Sequence, residues 1–275
     1  KWSAAELAWS VGASSDGSTV YVIANHDADT GRLLAVDLRS GEQTVLAEDD
    51  TYDVGAAVFH PTRHHPQAAN VFGETRQWKI VDEEMAADFA ALDAIQRGQF
   101  QIVSRDVADD LWVVNYDTDD ASARVYLYER ATRTHRLLFT NQPQLDDAPL
   151  AQMQPISFTA RDGLALHGYL TLPVGVAPRD LPTVLLVHGG PWGRDAWGYR
   201  ASTQWLANRG YAVLQINFRG STGYGKAFMN AGDREWGGKM HDDLLDGVDW
   251  LVERGTADRT RIAIMGASYG GYATL

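Results

Sequence analysis

Short apolar runs parted by turn-forming clusters fill the first half of the chain. Val20 to Ala24 follows the turn Ser15-Asp16-Gly17-Ser18, Leu33 to Leu38 leads into Arg39-Ser40-Gly41-Glu42, and Thr44 to Leu46 returns. Leu111 to Tyr116, Val125 to Glu129 and His135 to Phe139 repeat the arrangement, separated by the polar stretch Asp117 to Ser122 and the turn Arg130 to Thr134. The segments starting at Leu33 and at Val125 occupy equivalent places in the two units. Short antiparallel strands repeating at this interval predict part of a β-propeller, about three blades of it, in preference to a β-sandwich. One helix interrupts the strands. Met85, Phe89, Leu92 and Ile95 recur at helical spacing, Asp82, Glu83 and Glu84 put acids in its first turn, and Gly98 stops it.

The pattern changes around Asp146 to Pro155, a polar linker containing Pro149 and Pro155. Beyond it, apolar strands alternate with helices. Thr183 to Val187, Ala212 to Ile216 and Arg261 to Met265 read as buried strands, and Ser202 to Asn208 and Asp242 to Glu253 as helices. That order predicts a parallel sheet with right-handed crossovers. We therefore divide the chain into residues 1–148, a partial propeller, and residues 149–275, the N-terminal part of an α/β domain.

Composition narrows the function classes. The 275 residues are 45% hydrophobic and 10% aromatic, ample for a packed core. The net charge of -12, from 24 basic and 36 acidic residues, comes with no basic stripe, so nucleic acid is not an expected partner. With no cysteine, a disulfide framework, a thiolate zinc site and a cysteine nucleophile are all excluded. No apolar run approaches the ~18 residues of a membrane span. The first residue is Lys1 rather than methionine, which reads as a mature or trimmed form of a soluble protein. The compartment, cytoplasmic or periplasmic, and the oligomeric state stay open.

The chemistry lies at the ends of two apolar strands. Ile262 to Met265 runs into Gly266-Ala267-Ser268-Tyr269-Gly270-Gly271, a Gly-x-Ser-x-Gly pattern between a strand and a following helix. Glycines at 266 and 270 permit the tight turn that lifts a Ser268 nucleophile out of the sheet. Thr183 to Val187 ends in His188-Gly189-Gly190-Pro191-Trp192, a loop able to bring backbone N–H groups close to a substrate oxygen. The expected oxyanion donors are the amides of Tyr269 and Gly190, with Gly189 as the alternative. His188 precedes the serine, whereas this class supplies its partners in the order Ser, Asp or Glu, His, so His188 is expected to bond locally and shape the loop.

Together, His188-Gly189-Gly190-Pro191, Asn217-Phe218-Arg219-Gly220-Ser221-Thr222-Gly223-Tyr224-Gly225 and Gly266-Ala267-Ser268-Tyr269-Gly270-Gly271-Tyr272 resemble the prolyl oligopeptidase family of serine peptidases, in particular its acylaminoacyl-peptidase and dipeptidyl-peptidase-like bacterial branch. The resemblance implies an α/β-hydrolase domain capped by a propeller that filters short peptide substrates by size. It also makes Asn217 to Gly225 a loop supporting the elbow, with Arg219 read as a partner of a nearby carboxylate. No cofactor is implied. The catalytic Asp and His are expected beyond residue 275, since none of the eight histidines follows Ser268. The chain alone is therefore expected to be inactive.

Other constellations carry less. His60, His64 and His65 could suggest a metal, but Pro61 and Pro66 place them in an irregular loop. Asp117-Thr118-Asp119-Asp120 opens like a calcium loop, yet Ser122 stands where the sixth-position glycine belongs. Asp242 and Asp243 read as helix-start acids. Trp192, Trp197 and Trp236 fit either a pocket lining or packing. Two rival functions remain: an esterase or lipase on the same fold, and a propeller-containing binding protein with a degenerate hydrolase domain.

Overall fold

The computed structural model describes residues 6–275, and these form two compact units. The first comprises the described residues through Asp117, together with Ser122–Pro143 and Gly223–Ala227; the second comprises Thr118–Ala121, Gln144–Thr222 and Phe228–Leu275.

Three antiparallel meanders build the first unit. β1 (Ala8–Ala13), β2 (Thr19–Ala24), β3 (Arg32–Asp37) and β4 (Gln43–Ala47) form a four-stranded sheet in chain order. β5 (Val54–Phe59), β6 (Pro66–Phe72) and β7 (Arg76–Ile80) form a three-stranded one. β8 (Gln99–Arg105), β9 (Leu111–Asp117), β10 (Arg124–Glu129) and β11 (Thr134–Thr140) form a second four-stranded sheet. β3 and β10 are both third strands of their sheets, which is the equivalence the two sequence segments suggest. Between β7 and β8 lies the expected helix, shorter than its pattern: a 3-10 turn at Glu83–Met85 leads into α1 (Ala86–Asp93). Asp82 caps that turn by accepting the Glu84 N–H.

The core of this unit follows from strand alternation. In β9, Trp112, Val114 and Tyr116 point inward and meet Met85, Phe89 and Leu92. Beneath them lies a buried ion network. Asp109 accepts from Trp112 Nε1 at 2.9 Å and from Arg130 Nη1 at 2.8 Å, and pairs with Arg105 Nη1 at 2.9 Å. Asp88 accepts from Tyr128 Oη at 2.9 Å and Arg130 Nε at 2.7 Å. The Arg105 and Arg130 guanidinium groups lie 5.3 and 5.4 Å from the Trp112 ring centre. The segment 223–227 also belongs here: Asp53 N–H donates to Gly223 O (3.1 Å), and Asp29 accepts from Lys226 N–H (2.9 Å, to its carbonyl) and Ala227 N–H (2.7 Å, to Oδ1).

The second unit contains β12 (Met153–Thr159), β13 (Ala165–Thr171), β14 (Leu181–Val187), α2 (Ala201–Ala207), β15 (Ala212–Asn217), α4 (Lys239–Glu253), β16 (Ala257–Gly266) and α5 (Tyr269–Thr274), while α3 (Gly225–Asn230) begins in the first unit and ends in the second. Its sheet runs β12-β13-β15-β14-β16. The three strands read from the sequence, β14, β15 and β16, are parallel as expected, but two further strands make the whole sheet mixed rather than parallel: β12 and β13 pair antiparallel, and β13 pairs antiparallel with β15. The cause is the hairpin at 160–163, closed by the Gly163 N–H to Ala160 O bond, which can only join antiparallel neighbours. β14 and β15 are nearly continuous runs of apolar residues because helices cover the sheet around them; Val184, Val213 and Leu206 of α2 pack together.

Several sequence candidates resolve into local structure. His60 Nδ1 accepts from the N–H groups of Thr62 and Arg63, the His65 ring stacks on His60 at 5.4 Å, and His65 Nε2 sits 2.8 Å from Asp82. Asp119, from the stretch resembling a calcium loop, is buried and accepts the Met153 N–H at 2.7 Å. Among the described residues no helix is long and apolar enough to cross a membrane.

Candidate active site

β14 and β16 run parallel with Val187 opposite Gly266. The segments that follow therefore leave the sheet side by side at its carboxyl end, where open α/β sheets bind ligands. The turn after β16 is very tight. A Cβ on Gly266 would lie 2.5 Å from the Gly270 carbonyl carbon, and one on Gly270 would lie 2.2 Å from Val187 O. No side chain fits at either position. Between them Ser268 sits at φ 57, ψ -121, a conformation that costs a non-glycine residue about 1–3 kcal/mol and marks strained functional turns. Tyr269 opens α5, so its N–H has no acceptor within the helix. Its ring is buried, 5.1 Å from Phe218 and 5.0 Å from Trp236, and burial pushes its phenol up to about 12.

The loop after β14 lies against the serine. A Cβ on Gly189 would be 3.3 Å from Ser268 Cβ and 3.8 Å from its Oγ. Gly190 has φ +132, and a Cβ there would lie 2.6 Å from Trp192 N. Thus the geometry brings Gly189 and Ser268 together, with Gly190 and Tyr269 adjacent to them in the chain.

His188 has one local contact and one to a distant part of the chain. Its Nδ1 is 2.8 Å from Gly189 O and its Nε2 is 3.0 Å from Ser221 Oγ. The ring stacks on Phe218 at 4.4 Å and 10°, and burial holds its pKa below the ordinary histidine value.

Asn217 to Thr222 braces this loop at further points. Asn217 accepts the Asp195 N–H at 2.7 Å and donates to the Asp195 carbonyl at 3.1 Å, while Thr222 N–H donates to Gly193 O at 3.0 Å. Arg219 is only 4% exposed and is fully engaged by carboxylates, with no face left for substrate. Its Nε and Nη2 donate to Asp243 at 2.8 and 2.7 Å, and its Nη1 and Nη2 to Asp162 at 2.8 and 3.0 Å. These two carboxylates hold the guanidinium firmly in its charged form. Asp243 therefore corrects the helix-start reading: α4 begins at Lys239, a turn earlier than expected, which carries Asp243 inward onto Arg219. Asp162 gave no sequence signal beyond that of a hairpin turn. Trp197 donates to Met153 O at 2.9 Å, whereas Trp192 is 64% exposed and Trp236 half exposed.

A glycine-flanked serine strained between a parallel strand and a helix, at the carboxyl end of such a sheet, defines the α/β-hydrolase class. Residues 197–275 match the model of the prolyl oligopeptidase family. Dipeptidyl aminopeptidase BIII of Pseudoxanthomonas mexicana is 45% identical across 96% of this chain and 39% of its own length. Dipeptidyl peptidase family member 6 of Caenorhabditis elegans is 34% identical across 93% of this chain and 38% of its own. A puromycin-hydrolyzing peptidase of Mycobacterium tuberculosis shares the fold at TM-score 0.79 and 24% identity, over 98% of this chain and 42% of that one. The chain belongs to the prolyl oligopeptidase family, and it spans about two-fifths of the length of the curated relatives it matches.

Proposed function

We propose that this chain carries the nucleophile of a serine peptidase that hydrolyses short peptides through an acyl-enzyme on Ser268. The observation that carries the reading is Ser268 at φ 57 in the turn after β16, with Gly189 packed against its side chain. Ser268 Oγ attacks the peptide carbonyl, and the N–H groups of Tyr269 and Gly190 stabilise the oxyanion, Gly189 being the alternative donor. Both ring nitrogens of His188 are engaged, which argues against it as the base. We assign the catalytic Asp and His to residues beyond 275, consistent with relatives more than twice as long. Residues 1–148 are read as blades of a propeller that admits short peptides, and residues 149–275 as part of the catalytic domain. The names of the two relatives favour removal of dipeptides.

The test is intact-mass measurement of the complete natural protein with and without a fluorophosphonate probe. One adduct, lost in Ser268→Ala together with peptide hydrolysis, supports the reading. A complete protein that hydrolyses peptides while Ser268 stays unmodified would sink it. Turnover of p-nitrophenyl esters without turnover of peptides would favour an esterase.

A further inference from the structure

We propose that the pocket between β7 and α1 binds a small zwitterion, a free amino acid with a large apolar side chain, its carboxylate held by Arg76 and its ammonium by Asp93. The assignment is independent of the function proposed above.

The pocket lies wholly within the first unit and has a volume of about 440 Å³, inside the range of small-molecule sites, about 300–1,000 Å³. Strand alternation sets one wall, since Arg76 and Trp78 are two apart in β7 and share a face. Ala86 and Ala90, one turn apart on α1, line the other, and their small side chains keep the space open. The floor is aromatic. Trp78 stacks on Phe100 at 5.7 Å and 21°, and Phe89 meets the two rings edge-on at 5.4 and 5.3 Å. Rings held in this way offer a ready apolar surface, so little ordering is needed when a ligand binds.

Two charges of opposite sign line the same pocket, and the fold leaves both uncompensated. The Arg76 guanidinium makes one hydrogen bond among the described residues, from Nη1 to Phe100 O at 3.4 Å, which is long for such a contact. The Trp78 indole N–H reaches the same carbonyl at 3.4 Å. Nε and Nη2 of Arg76 have no partner. Asp117 supports the guanidinium from beyond ion-pair distance, and burial outweighs it, drawing the group below its ordinary value. Asp93 is the last residue of α1, where the helix dipole disfavours a negative charge. No hydrogen bond or cation offsets this, and burial pushes its carboxyl up.

What compensates both charges at once defines the ligand. A planar guanidinium fork matches a carboxylate, and Asp93 at the helix C-terminus matches an ammonium. The rings between them match an apolar side chain. A simple anion would be repelled by Asp93, and a simple amine by Arg76. An apolar α-amino acid carries all three groups.

The experiment is calorimetric titration of the complete natural protein with L-phenylalanine. One site is expected, with N-acetyl-L-phenylalanine, which lacks the ammonium, and L-phenylalaninamide, which lacks the carboxylate, each binding about tenfold more weakly. Equal binding of all three, or no binding of L-phenylalanine up to about 10 mM, overturns the proposal without any variant. The variants then assign the walls. Asp93→Asn should weaken L-phenylalanine about tenfold yet leave the N-acetyl compound within about twofold of its wild-type affinity, and Arg76→Gln should do the same with the amide as the insensitive ligand. A variant that loses both ligands while keeping its circular dichroism, or L-phenylalanine binding that neither variant weakens, places the ligand elsewhere and overturns the assignment. Fluorophosphonate labelling of Ser268 tests the hydrolase reading separately, and its failure would leave these titrations untouched.

Discussion

Arg219 and Asp243 meet in a buried two-point pair, Nε to Oδ2 at 2.8 Å and Nη2 to Oδ1 at 2.7 Å, and Asp243 also accepts the Arg219 backbone N–H at 2.8 Å. Asp243 is wholly inaccessible to solvent. Removing one partner strands the other charge, so Asp243→Ala should destabilise the α/β unit by about 3–5 kcal/mol. Arg219→Lys should destabilise the unit as well, because an ammonium cannot span both carboxylates as a planar fork does. Chemical denaturation of the two variants measures both effects. A cost below about 1 kcal/mol for Asp243→Ala would contradict the structural role given to the pair.

The glycines of the elbow make unequal demands. Gly270→Ala drives a Cβ to 2.2 Å from Val187 O and Gly266→Ala drives one to 2.5 Å from the Gly270 carbonyl carbon, whereas Gly271→Ala meets nothing nearer than Gly266 O at 3.6 Å. The first two should lose fluorophosphonate labelling of the complete protein by more than about a hundredfold, and Gly271→Ala should stay within about threefold. Labelling rates give the comparison, with circular dichroism separating a misplaced serine from an unfolded unit.

Acid should loosen the same unit from its surface. Hydrogen bonds from Arg219 hold the Asp162 carboxyl well below its ordinary value of 3.8. A depressed carboxylate stabilises the fold fully above that ordinary value, and the contribution fades as pH falls toward the lowered one. Asp258, held at about 2 by Thr260 and Arg261, acts in the same direction. The melting temperature should therefore drop between about pH 4 and pH 2, and Asp162→Asn should flatten that slope. Melting curves across this range decide it; an unchanged slope in the variant would remove Asp162 from the account.

In the first unit the corresponding weak point is Asp109. Its carboxylate serves Trp112, Arg105 and Arg130 at once. Its φ of 62 is one that asparagine also tolerates, so Asp109→Asn tests the charge without adding backbone strain. A loss of about 3 kcal/mol is expected. Denaturation followed by tryptophan fluorescence reads it out.

The sequence was most legible where the chemistry is local. The strands ending at Val187 and Gly266, the turn holding Ser268 and the helix around Phe89 all follow from periodicity and glycine placement within a few residues. β5 to β8 were not read from the pattern. β6 is buried along almost its whole length, with no polar alternation to mark it, and histidines and prolines crowd its approach. The antiparallel β12 and β13 were missed because pairing direction depends on a hairpin whose turn, Arg161-Asp162-Gly163, carries only a weak signal. The partners in long-range polar pairs left no trace either: Arg219 reads as a carboxylate partner, but nothing marks Asp162, 57 positions away, and nothing joins His188 to Ser221, 33 away. Spacing rules operate within one element, and these contacts join different ones.

The five residues Gly223–Ala227 close against Asp29 and Asp53, nearly two hundred positions earlier in the chain. A ribosome releasing this polypeptide delivers the meanders long before it delivers that segment. Asp29 must therefore emerge without the N–H groups of Lys226 and Ala227, and the Asp53 N–H without the Gly223 carbonyl, so the first unit reaches its final hydrogen-bonded form only after most of the α/β sheet has been translated. Synthesis and folding are thus interleaved rather than sequential, and a pause in translation before Gly223 would hold the N-terminal unit in an unfinished state.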